Sequence, residues 1–309
     1  VFPDSYDRLT VLKGPQTVIH GPGNVAGTVL FERDRGDRPT QPELTGNASA
    51  TVGAFGRRDI LGDLQYATPD FYLRGTGNYT TSGNYKNGDG NPVHSAYERW
   101  SGRMALGLTP DDNTLYELHY ARSDGEAAYA DRMMDGSRFD RESIGLRFEK
   151  RNISPRLRKL EANVYRNYID HVMDNYSMRT LKPGAKPALS NPDRDTVGGR
   201  VAATLQLTPA TRLVTGLDAQ SNQHTLRTGT DYQSRPRIDN AEYRQLGVFG
   251  EVRHEWDDTQ RLIGGLHQPS TAFLHAMTEA AIALRDPIHQ EGERRRHQQD
   301  GDGHLPAGP

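Results

Sequence analysis

Segments in which apolar and polar residues alternate recur along this chain, and the gaps between them switch regularly between tight turns and long polar loops. The clearest segment is Ser143 to Glu149, where Ile144, Leu146 and Phe148 share one face and Ser143, Gly145, Arg147 and Glu149 share the other. Tyr116, Leu118 and Tyr120 alternate with Glu117 and His119 in the same way, and Leu246, Val248 and Val252 alternate with Gln245, Gly247, Glu251 and Arg253. A helix would scatter these sets around its circumference, whereas a strand sorts them onto two faces. Further segments begin near Thr45, Arg58, Phe71, Tyr97, Leu157, Thr196, Thr211 and Gln260, which predicts about eleven strands.

The gaps narrow the fold class. They are short at Thr68-Pro69-Asp70, Pro110-Asp111-Asp112, Asn152 to Pro155, Thr208-Pro209-Ala210 and Asp257-Asp258-Thr259, and long at 81–96, 124–138, 171–195 and 223–240. Only Gly56-Arg57-Arg58, in a long-loop position, is short. Short turns at one rim and long loops at the other are the asymmetry of an antiparallel barrel that crosses an outer membrane. Tyr97, Trp100, Tyr120, Tyr168 and Trp256 fall near strand ends and suit interfacial girdles, although strands are rich in aromatic residues for other reasons too.

Composition agrees with strands and turns. Only 34% of the 309 residues are hydrophobic, while 32 Gly and 18 Pro disfavour long helices. No stretch approaches the roughly 18 to 20 apolar residues of a spanning helix. A barrel alternates lipid-facing with lumen-facing residues, so a mean hydropathy of −0.80 is compatible with membrane insertion. A net charge of −2, spread over 38 basic and 40 acidic residues, gives no electrostatic footprint for nucleic acid. No cysteine is present, so the chain holds neither a disulfide nor a Cys-based zinc site. It opens at Val1-Phe2-Pro3 without a start methionine or a basic-then-apolar leader, as an internal piece of a longer protein does. Enzymatic motifs are lacking: no Gly-x-Ser-x-Gly, His-Glu-x-x-His or phosphate loop appears. Gly88-Asp89-Gly90, Asp193, Asp195 and Asp257-Asp258 read as loop and turn residues.

The segment from Ser5 to Gly23, with Leu9-Thr10-Val11-Leu12-Lys13-Gly14-Pro15-Gln16-Thr17-Val18 at its centre, resembles the late plug motif of TonB-dependent outer-membrane receptors. Its continuation, Asn24-Val25-Ala26-Gly27-Thr28-Val29-Leu30-Phe31-Glu32-Arg33, matches the apolar strand that follows in that family. Within the family the chain is most similar to the copper-receptor branch. That likeness is carried by Tyr6 to Val18, Ala26 to Arg33, Gly136 to Lys150 and Asp170-His171-Val172-Met173-Asp174-Asn175-Tyr176, and it extends to about residue 266. It implies three parts: 1–40 as the end of the plug, 41–266 as the first half of the barrel with about 11 of 22 strands, and 267–309 as a tail outside the family pattern. The fold class expected is all-β, a partial transmembrane antiparallel β-barrel.

In the copper branch a His-x-Met pair from the barrel joins a Cys and a Met from the plug in holding copper. His171 and Met173 match the barrel pair, and the plug pair falls upstream of Val1. Without the resemblance, the pair reads first as packed or solvated side chains. The chemistry is nevertheless apt, because imidazole suits copper and a thioether favours Cu(I) over hard cations. On a strand, residues 171 and 173 also point to one face about 6.5 to 7 Å apart in backbone rise. Met133, Met134 and Met178 in two long loops are candidates for an approach path, and His20 and His94 for assisting ligands; gap-filling methionines are the plainer alternative.

The resemblance implies copper as transported cargo, lipid around the barrel, the TonB energy-transducing complex engaged through an upstream segment, and the outer membrane of a Gram-negative bacterium. Competing expectations are a siderophore receptor of the same superfamily, a soluble β-rich binding module, and a truncated product without function, since an open sheet leaves two edges that lipid does not tolerate. After Leu266 the strand rhythm ends. Thr271 to Leu284 reads as an amphipathic helix, and the stretch beyond, with Arg294-Arg295-Arg296, His289, His297 and His304, reads as disordered.

Overall fold

The structure, a computed structural model, describes residues 5–14, 17–19, 26–34, 36–257 and 260–275. Two short strands, β1 (Arg8–Lys13) and β2 (Gly27–Glu32), pair antiparallel with Arg8 opposite Glu32 and Lys13 opposite Gly27. Eleven further strands form one sheet in strict sequence order: β3 (Glu43–Val52), β4 (Arg58–Ala67), β5 (Phe71–Ser82), β6 (Tyr97–Leu108), β7 (Thr114–Ala127), β8 (Asp135–Arg151), β9 (Leu157–Asp174), β10 (Leu189–Thr208), β11 (Thr211–Thr228), β12 (Ile238–Glu255) and β13 (Arg261–His275). The sheet does not close, so β3 and β13 are its edges. No α-helix occurs among the described residues.

Polarity is inverted relative to a soluble domain. Registered across β7 to β12, the residues Leu118, Leu146, Val164, Gly199, Ala219 and Leu246 form one row on the outer face. Tyr116, Phe148, Ala162, Val201, Leu217 and Val248 form the next. Most of the large side chains in these rows are exposed, Leu118 at 44%, Val164 at 55% and Leu246 at 57%. The largest fully buried side chains are instead Asn191, Asn222 and Asp135. An apolar outer face over an ion-paired inner one is what hydrocarbon on the outside selects. The inner face carries Arg74–Asp63 at 3.1 Å, Arg103–Glu117 at 3.2 Å and Arg147–Glu149 at 2.9 Å.

On the long-loop side the apolar band stops at a row formed by Arg122, Glu142, Tyr168, Asp195, Gln223 and Glu242. The strands continue past it. β8 begins at Asp135, β10 at Leu189 and β12 at Ile238, each earlier than alternation predicts, and Asp193 and Asp195 lie in β10, not in a loop. Above the band neither face needs to be apolar, so the period-two signal fades while the hydrogen-bonded ladder persists. At the other end β13 reaches His275, so no helix begins at Thr271. The rest of that expected helix, the basic run and His289, His297 and His304 lie outside the described residues, as does His20.

Residues before β3 are fastened to the inner face. The Arg74 guanidinium donates to both carboxylate oxygens of Asp7 at 2.7 and 2.8 Å, to Asp63 at 3.1 Å and to the Asp34 carbonyl at 3.0 Å. Far across the sheet, Glu251 of β12 accepts the Thr17 hydroxyl at 2.5 Å and the Val18 N–H at 3.0 Å. Arg38 grips the short turns, donating to the Pro69 carbonyl at 2.5 Å and to Asp112 at 3.2 Å.

The long loops are tied together at one carboxylate. Asp135, with no exposed surface, accepts from Arg179 Nε at 2.7 Å and from the Tyr129 N–H at 2.8 Å, and it contacts His94 Nε2 at 2.9 Å. Arg179 also donates to the Arg132 carbonyl at 2.8 Å and the Tyr129 carbonyl at 2.9 Å. Three loops, 83–96, 128–134 and 175–188, thus meet above the apolar band. Burial raises the Asp135 carboxyl, but the Arg179 and His94 contacts and the Tyr129 N–H outweigh it and hold its pKa at about 2.

Two outcomes follow. Val201→Arg on the outer face is expected to cost about 2–4 kcal/mol in a bilayer, whereas Gln220→Arg on the inner face stays within about 1 kcal/mol; urea titration of the protein in lipid reads both, and equal effects would contradict a lipid-facing band. A depressed folded pKa contributes stability above the ordinary value of 3.8 and loses it as pH falls toward about 2. Pepsin is therefore expected to cut within 175–188 increasingly across that window, and Asp135→Asn to remove the pH dependence by leaving the loops loose throughout.

Candidate metal-binding site

His171 and Met173 sit inside β9, near its long-loop end, rather than in the loop beyond it. Alternation along the strand puts both on the face opposite Val164, the inner face, above the level of the apolar band. Their cross-strand neighbours in β8 are Phe139 and Gly136. The register of β8 shifts between Gly136 and Arg138, and such a bulge re-aims the side chains around it. The Phe139 ring consequently lies on the His171 ring, with centroids 4.7 Å apart and planes inclined by 37°. Gly136 makes room for it, since a Cβ there would stand 2.0 Å from Phe139 Cζ.

The strand backbone is pinned from β10. Asn191, fully buried, donates through Nδ2 to the His171 carbonyl at 3.1 Å and to Asp170 at 2.5 Å. Its oxygen accepts from Arg227 at 2.7 and 3.0 Å. These bonds fix the height and rotation of the His171 backbone without using its ring. The ring itself is less engaged: Nε2 is buried and has no hydrogen-bond partner among the described residues. An orphaned buried nitrogen is costly unless something else occupies its lone pair. Burial also pushes the imidazole below its usual pKa, opposed by Asp170 and reinforced by Arg132, a shift toward the neutral form that ligates metals.

The candidate donor set is therefore one imidazole nitrogen and one thioether on the same face of one strand. Such a pair suits a soft monovalent ion and not a hard divalent one. Among the described residues no group of three or more His, Asp or Glu is arranged to hold a metal. His94 is held through its Nε2 by Asp135. Met133 is 87% exposed at the surface, and Met134 and Met178 are half-buried. Arg179, next to Met178, bonds the carbonyl of Arg132, next to Met133, so the two methionine-bearing loops are drawn together. Sequence reasoning missed Phe139, Gly136 and Asn191. The first two lie within the Gly136 to Lys150 stretch that carries the family likeness, whereas nothing local marks Asn191.

No family model matches the chain, and no curated protein does. Among solved structures it superposes on the copper transporter OprC with a TM-score of 0.86 and 43% identity, covering 90% of this chain and 44% of that one. It superposes on the FrpB iron transporter from Neisseria meningitidis with a TM-score of 0.63 and 14% identity, covering 90% and 52%. For the siderophore receptor PirA from Acinetobacter baumannii the values are 0.60 and 12%, covering 87% and 45%. At such identities the last two show a shared fold alone, and the chain spans about half or less of each structure's length. With its short plug-like hairpin, eleven-strand antiparallel sheet and outward apolar rows, the chain has the fold of part of a TonB-dependent outer-membrane receptor, and its sequence resembles the copper-receptor branch.

Proposed function

We propose that this chain supplies part of the wall, the end of the plug and half of the metal-binding site of an outer-membrane receptor that takes up copper. The observation that carries the reading is the buried, unpartnered Nε2 of His171 on the same strand face as Met173. Copper is the cargo. The two donors hold it at the long-loop rim, where a scavenged ion arrives, and the matching plug pair in this branch completes the coordination. The likeness to a copper transporter at 43% identity supports this over a siderophore receptor, for which the likeness is one of fold. The outward apolar rows favour a lipid surround in the outer membrane of a Gram-negative bacterium over a soluble binding module.

Import then requires the plug to leave the wall. Energy delivered by the TonB complex has to break the Asp7–Arg74 pair and the Glu251 bonds to Thr17 and Val18, which join the plug end to β5 and β12. None of these residues performs bond chemistry on the cargo, and the reading is of a transporter, not an enzyme.

In the full-length receptor, His171→Ala and Met173→Ala are each expected to weaken copper binding about tenfold or more, a loss of about 1.4 kcal/mol per decade. Phe139→Ala, which frees the imidazole to rotate, is expected to produce a smaller loss in the same direction. Equilibrium titration with copper checks all three, and affinity unaltered in both ligand variants would remove the assignment.

A further inference from the structure

We propose that Asn191 is a positioning residue of the copper site, through which the β11–β12 loop, residues 229–237, sets how firmly His171 holds its ion. This deepens the copper reading and rests on it. Pro192 lies inside β10, a strand paired on both sides. Proline has no N–H to give to a ladder and is normally confined to edges and bulges, so its place here calls for a reason. Toward β11 the register runs unbroken, with Asn191 opposite Arg227 and Pro192 opposite Leu226. Toward β9 it passes from Ser190 opposite Met173 to Asp193 opposite Asp170, with no pairing at Asn191 and Pro192 between them. The gap in the ladder therefore falls opposite His171 and Val172. A proline there can offer the His171 carbonyl no N–H, and the side chain of Asn191 donates to it at 3.1 Å in place of the backbone.

That amide is itself controlled from the loop. Its oxygen accepts from Arg227 at 2.7 and 3.0 Å, while its nitrogen donates to Asp170 as well as to His171. A guanidinium on the oxygen polarises a buried amide and strengthens its N–H donors, so Arg227 acts on His171 through Asn191. Arg227 stands at the end of β11, where the loop begins, and its guanidinium lies 5.1 Å from the ring of Tyr232 within the loop. At the other end of the loop, Arg237 pairs with Asp170 at 3.3 Å and with Asp193 at 2.6 Å. Both ends of one loop thus converge on Asp170 and His171. On its other side β9 keeps its pairing with β8, Phe139 standing opposite His171. Only the β10 side of the ligand is held by side chains, and these can let go without unravelling the sheet. With the loop down His171 is held firmly, and with the loop lifted it is held less firmly, which suits a receptor that has to pass its cargo on. Coupling of this kind is reciprocal, so the ion that gains from the docked loop also stabilises the docking.

The test uses the full-length receptor in detergent with Cu(I), kept reduced, as the probe. Hydrogen exchange of the amides in 229–237, read by mass spectrometry, is expected to slow severalfold when Cu(I) is added to the parent and to be indifferent to it in His171→Ala. A residue that merely supports the fold would not produce this response. Arg227→Met, which removes the guanidinium from Asn191 and touches no metal ligand, is expected to weaken Cu(I) binding about fivefold. Asn191→Asp, which keeps an acceptor for Arg227 but loses both donors, is expected to weaken it about tenfold. Exchange in 229–237 that is the same with and without Cu(I) in the parent overturns the proposal, and so does parental Cu(I) affinity in Arg227→Met. Should either variant not fold, the exchange measurement on the unaltered receptor decides. Cu(I) affinity indifferent to both His171→Ala and Met173→Ala overturns the copper reading, whereas affinity that falls in those variants with no response from the loop overturns the role of Asn191 alone.

Discussion

A chain that crosses lipid has no water to hydrogen-bond its backbone, so every N–H and C=O at that depth has to be given to a neighbouring strand. From that single demand the rest of this architecture follows. The ladder from β3 to β13 is continuous and in sequence order, because hairpins are the cheapest way to present each strand to the next. Once the ladder satisfies the backbone, side chains alone decide which face meets hydrocarbon. Rows such as Val164 with Gly199 and Ala162 with Val201 form the greasy exterior, and charged pairs line the interior.

Where the apolar band ends, the ladder does not, and this is what makes the candidate site possible. β8, β9 and β10 rise beyond the row of Glu142, Tyr168 and Asp195, so His171 and Met173 are held on a rigid strand and not on a mobile loop. A bulge at Gly136 turns Phe139 onto the imidazole, and Asn191 secures the backbone behind it. Outside, Asp135 gathers three loops through Arg179 and His94, so the rim itself is braced by buried charge-assisted bonds.

How much of this was legible depended on what each stretch has to satisfy. Ile144, Leu146 and Phe148 announced their strand because one of its faces is apolar and the other is not. The continuation from Asp135 to Glu142 was silent, since both of its faces are polar and only pairing keeps it extended. The same reason hid Asp193 and Asp195 in β10, and the strand through His275 replaced the start of an expected helix because pairing with the neighbouring strand overrides local amphipathic pattern. His171 and Met173 stood out only through resemblance; two residues cannot specify a metal by spacing. Phe139 over Gly136 and Arg179 on Asp135, 44 positions apart, are contacts of register and loop closure that no local pattern encodes.

Two of the fastenings of the segment before β3 sit far apart on the sheet, Asp7 on Arg74 of β5 and Thr17 with Val18 on Glu251 of β12. A tensile load entering at one end of this segment is therefore not shared between them. It reaches one anchor first and the second only after the first has yielded, like adhesive tape lifted from a corner. Sequential rupture needs a smaller peak force than simultaneous shear of the same bonds.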